Sequence, residues 1–111
     1  MPGHIHNQIF LSVDLKTALT MCQKATKWTK AFRENNNRYP YFCSVKINLI
    51  TNRLVFKFGH EAGLEMHQVE INLRPHEGGT LVCFVDTSYG IDYTSNCIDE
   101  FINDFIESLG N

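Results

Sequence analysis

Long apolar runs are missing from this 111-residue chain. None exceeds a few residues, which argues against a membrane-spanning helix. The opening MPGHIHNQIFLSV has neither the basic start nor the apolar stretch of a signal peptide. The cytoplasm is the expected location, and no membrane partner is expected. Closely paired cysteines are missing too: Cys22, Cys43, Cys83 and Cys97 are scattered, with none of the CxxC spacing by which structural zinc sites announce themselves. Reduced thiols follow as the expectation for a cytosolic chain. Proline is scarce, and no repeat, linker or low-complexity tract interrupts the sequence.

What is present is the ordinary composition of a globular domain, 43% apolar and 20% charged, in a length suited to one core. A single domain over 1–111 is expected, with 1–7 as a flexible N-terminal segment. The charge is unevenly placed. Residues 1–60 carry nine Lys/Arg against Asp14 and Glu34, a balance of +7, whereas residues 61–111 carry Arg74 against ten Asp/Glu, a balance of −9. Within one domain the two halves lie against each other and their fields cancel, so a nucleic-acid partner is not favoured.

Apolar periodicity divides the chain into elements. Residues 8–13 alternate, with Ile9, Leu11 and Val13 on one side, as in a half-buried strand. Asp14 stands where an N-cap belongs. From Leu15 the period becomes helical through Ala18, Leu19, Cys22, Ala25, Trp28 and Phe32, opposite a wet, basic back. NNNRYP ends that helix, because Pro40 disfavours helical geometry in the residue before it. Two hairpins follow. In the first, Cys43, Val45, Ile47 and Leu49 turn through Thr51-Asn52 to Leu54, Phe56 and Phe58; in the second, His67, Val69, Ile71 and Leu73 turn through a Gly-Gly to Leu81, Cys83 and Val85. A closing helix over 96–109 buries Ile98, Phe101, Ile102, Phe105, Ile106 and Leu109.

The order is β-α-β-β-β-β-α. One apolar face per strand calls for one layer of helices, so the predicted fold is an α+β two-layer sandwich: a five-stranded, mostly antiparallel sheet with both helices on one face. The first strand is expected beside the fifth, and the basic helix beside the acidic one.

The phrase VEINLRPHEGGTLVCFVDTSYG, followed by an amphipathic helix, resembles small uncharacterised bacterial domains related to helix-grip (SRPBCC-like) or TATA-binding-protein-like folds. The resemblance runs from about Gln8 to Leu109. It implies the two-layer fold and the binding of small apolar ligands, lipids or proteins, and it supplies no site residues.

GHEAGLEMH, residues 59–67, approaches the HExxH of zinc proteases but misses it, since His67 falls three residues late and two glycines argue for a turn. Its place is more informative than its letters. The links at 35–41, 59–65 and 88–95 share one end of the predicted sheet and bring together Tyr39, Tyr41, His60, Glu61, Tyr89, Asp92 and Tyr93 as a candidate ligand-binding rim. Trp28 joins them as a lining residue of any pocket between the layers. A catalytic use would make His60 a base oriented by Glu61 or Asp92, but no nucleophile or oxyanion element accompanies it, and no catalytic residue is assigned.

The other face of the sheet is expected to show Phe10, Phe42, Val55, Val82 and Phe84, too apolar for water alone. The expected function is therefore a non-enzymatic interaction module, homodimerising or binding a protein partner through that face. The alternative is binding of a small apolar ligand or lipid between sheet and helices, and an enzyme built on His60 ranks third. No cofactor and no metal are assigned. Loss of Met1 would leave Pro2-Gly3-His4 with the donors of a square-planar Cu(II) or Ni(II) site, for which chance or a cloning remnant is the simpler account.

Overall fold

The computed structural model describes residues 4–29, 41–60, 65–87 and 96–110, with side chains for 7–29, 45–57, 67–87 and 98–110. Five strands, β1 (His4–Leu11), β2 (Tyr41–Asn48), β3 (Arg53–His60), β4 (Glu65–His76) and β5 (Gly79–Asp86), form one sheet in the order β1-β5-β4-β3-β2. Every neighbouring pair is antiparallel. Two helices among the described residues, α1 (Leu15–Trp28) and α2 (Asn96–Ser108), complete the α+β order expected from the periodicity. β1 begins earlier than predicted, and His4, Ile5 and Asn7 are in register with Asp86, Val85 and Phe84 of β5. α1 ends at Trp28 with Thr29 as an extended C-cap, short of the expected residue 34, and residues 30–34 lie outside the described residues.

The core is one cluster. Ala18, Cys22 and Ala25 of α1 and Ile98, Phe101 and Phe105 of α2 meet Leu54, Phe56, Val69, Ile71, Val82 and Phe84 of the sheet. Both helices therefore cover the same face. Small residues on α1 let its backbone approach the sheet, while aromatics on α2 fill the space beside it: Phe56 and Phe101 have centroids 4.7 Å apart, and Phe84 meets Phe105 edge to face.

The facing of β5 corrects the sequence reading. Leu81 and Cys83 were expected inward with Val82 and Phe84 outward; instead Val82 and Phe84 are fully buried under the helices, and Leu81 and Cys83 lie on the reverse face. The reason is that β5 is apolar at both parities, so alternation alone gives it no direction. Its register with β4 decides, since Ile71 stands opposite Phe84 and Leu73 opposite Val82. Leu81 and Cys83 are nonetheless shielded, being opposite Phe10 and Gln8 of β1, with the Cys83 thiol 3.7 Å from Gln8 Oε1.

Three local features set the chain's path. The Asp14 carboxylate accepts the Thr17 N–H and caps α1. The β4–β5 turn uses Glu77 and Gly78, both with positive φ, so the Gly-Gly turn is displaced by one residue and Gly79 belongs to β5. Gly79 is needed there for another reason: a β-carbon on it would strike the ring of Phe10 and the Leu11 carbonyl oxygen.

Candidate interaction surface

The β2–β3 hairpin closes through residues 49–52, between the paired Asn48 and Arg53. The Asn48 side-chain oxygen accepts the N–H groups of Ile50 at 3.0 Å and Thr51 at 3.1 Å, the local bond that favours asparagine at a turn's first position. Asn52 takes positive φ, which asparagine tolerates, and its carbonyl accepts the Leu73 N–H at 3.0 Å, tying the turn to β4. A well-held turn results.

What the turn displays is aliphatic. Ile50 is 93% exposed, Leu49 63% and Ile47 43%. Turn tips ordinarily carry polar residues, so adjacent leucine and isoleucine held away from the core stand out. Ile47 of β2, opposite the buried Leu54, keeps the inward side expected of it, whereas Leu49, expected inward too, belongs to the turn with Ile50. The available signal was the apolar pair in Asn48-Leu-Ile-Thr-Asn52, where turn chemistry and hydrophobicity disagree.

On the reverse face of the sheet, Leu81, Cys83 and Val85 stand where Val82 and Phe84 were expected, and all three are buried or partly buried. Of the residues expected there, Val55 is partly buried on β3 and Phe10, 48% exposed, lies on β1, with β4 and β5 between them. Phe10 is occupied with Gly79 and with His76, whose ring it meets edge-on at 6.2 Å. Beside Val55, Arg53 and Glu70 are joined by an ion pair at 3.1 Å, and Gln68 of β4 donates to the Thr87 hydroxyl at 2.8 Å. Phe42 occupies a reverse-face register position in β2, and its side chain lies outside the described ones.

Of the rim residues, Tyr41 and His60 are paired in register, and His60 also pairs with Glu65, so β2, β3 and β4 do reach a common end there. Tyr39, Glu61, Tyr89, Asp92 and Tyr93 lie outside the described residues. Trp28 departs from its predicted inward position: it is 53% exposed, while Thr26 and Thr29 are buried in its stead. Their hydroxyls donate to the carbonyls of Gln23 and Thr26, which satisfies them inside the helix end. His67 is buried on the helix-covered face of β4, as expected.

Electrostatics add little chemistry to this surface. Burial pushes the Cys22 thiol up to about 12, which keeps it protonated and inert in the core. Among the described residues no three metal-ligating side chains converge, and no helix is long and apolar enough to cross a membrane. His4 opens β1; Pro2 and Gly3 lie outside the described residues.

The architecture defines a small α+β domain with an open antiparallel sheet. No family model matches the chain, and no curated protein matches it. A solved structure, protein Ms6760 from Mycobacterium smegmatis, is similar over 92% of this chain and 82% of that one, with 11% identity and a TM-score of 0.41. A likeness that distant transfers neither family nor function, and the helix-grip or TATA-binding-protein-like resemblance has no family match behind it.

Proposed function

We propose that this domain is a protein-interaction module and that the β2–β3 hairpin is its docking element. The observation that carries the reading is the exposure of Leu49 and Ile50 on a turn fixed by Asn48 and Asn52. Burying such a side chain against a partner contributes roughly 1.5–3 kcal/mol, and a preformed turn loses little conformational entropy when it docks. The docking element thus shifts from the broad sheet face, two of whose expected residues belong to the core, to one edge of the sheet.

A ligand site between the layers has less support. Phe56, Phe101 and Phe105 pack on one another with centroids 4.7 to 6.4 Å apart, filling the space where such a pocket was expected. An enzyme centred on His60 rests on sequence proximity alone.

The test is site-specific photo-crosslinking in cells, with benzoylphenylalanine at position 50 and, as a control, at Lys24 on the exposed side of α1. A discrete adduct from position 50 and none from position 24 is expected. No adduct from position 50, or equal adducts from both, would overturn the reading.

A further inference from the structure

The two edges of the sheet are built differently. β1 is interrupted by a register shift between Ile5 and Asn7, and Phe10 on it is engaged over Gly79. Bulges of that kind twist an edge strand and discourage further pairing. β2 has none of this protection. Its register with β3 is unbroken from Tyr41 to Asn48, it contains no proline, and Lys46 is its one charged residue. Among the described residues β2 pairs with β3 alone, leaving its outer row of backbone groups directed at an incoming strand.

We infer that the partner at this edge is a second copy of the chain, joined by antiparallel pairing of β2 with β2 so that two five-stranded sheets become one. The inference rests on the interaction-module reading and names its partner. The self-pairing is argued from pattern. In an antiparallel ladder, opposed residues point to the same side, so a strand that alternates apolar and polar matches its own symmetry copy. Centred on Val45, the two-fold places Cys43 opposite Ile47 and keeps the apolar side of β2 continuous across the axis. It sets Lys46 opposite Ser44 rather than opposite its own copy, avoiding a like-charge pair. It also carries Leu49, 63% exposed, to the register position opposite residue 41 of the second copy. A heterologous strand would have to supply that alternation and that charge spacing from elsewhere; β2 already contains both.

The experiment is sedimentation equilibrium of the full chain from micromolar to millimolar concentration, with amide hydrogen exchange followed by NMR over the same range. The expected result is a monomer–dimer equilibrium in which alternate amides of residues 41–48 slow as the dimer forms, while β1 amides do not change. Ile47→Lys, an inward charge on an edge strand, should lose both the dimer and the concentration dependence of those amides without loss of the circular dichroism signal. A monomer throughout, a dimer whose β2 amides exchange independently of concentration, or undiminished dimerisation of Ile47→Lys would overturn the inference. The photo-crosslinking separates the two levels: an adduct between position 50 and a different protein refutes self-pairing and leaves the interaction module standing, whereas the absence of any adduct refutes the module itself.

Discussion

Phe84 of β5 meets Phe105 of α2 edge to face, with ring centroids 5.6 Å apart and both side chains fully buried. Phe105 also touches Phe56 and Phe101, so it joins the second helix to two strands. Phe105→Ala should cost about 3–5 kcal/mol, a large part of a small domain's stability, measured as a fall in urea midpoint at unchanged slope. Phe84→Asp would bury an unpaired charge and is expected to unfold the domain, which makes it unsuitable as a probe of association.

That pair also marks the limit of what the sequence could reveal. Element order, antiparallel pairing and the strand order with β1 beside β5 were all legible, because β3 and β4 alternate cleanly and both helices carry one apolar side. β5 was not, because Leu81 through Val85 are apolar without a break, and its parity is fixed by cross-strand partners rather than by its own letters. Trp28 was misplaced because a large apolar residue at helical spacing outweighed two threonines whose hydroxyls bond inside the helix. The hairpin tip is not legible in periodicity, which counts apolar residues toward a core; only turn chemistry reveals that Leu49 and Ile50 are held away from it.

Gly79 and Phe10 make a second stability test. Gly79→Ala places a methyl group against the Phe10 ring and the Leu11 carbonyl and should destabilise by about 1–3 kcal/mol. Adding Phe10→Ala relieves the ring contact but leaves the backbone contact, so the double variant should recover only part of the loss. Chemical denaturation of the wild type, both single variants and the double variant measures this coupling.

Asp14 should confer an acid-dependent component. The Thr17 hydrogen bond holds its carboxyl below the ordinary value of 3.8. A depressed folded-state pKa means that the stabilisation is present above the unfolded pKa and is lost as pH falls through the folded one. Asp14→Asn keeps a capping oxygen without the charge, so its melting temperature should decline less steeply than that of the wild type on acidification below about pH 4.

Cys22 should resist alkylation at pH 8 in the folded protein and react once the chain is denatured. With the folded pKa pushed up to about 12 from an ordinary 9.0, its contribution to stability is full below the unfolded value and falls as pH rises from there toward the folded one. Mass spectrometry of iodoacetamide-treated protein, native and denatured, checks the labelling. Rapid modification of Cys22 in the native state would contradict its placement on the buried side of α1.

The docking role of the hairpin in the proposed β2–β2 dimer is tested most directly by light scattering on wild type and on the double variant Leu49→Asp/Ile50→Asp across a concentration series, with melting temperatures measured beside it. Both side chains lie largely outside the core, so the variant should melt like the wild type while its concentration-dependent association is lost. Association that persists unchanged in a folded double variant would contradict the account.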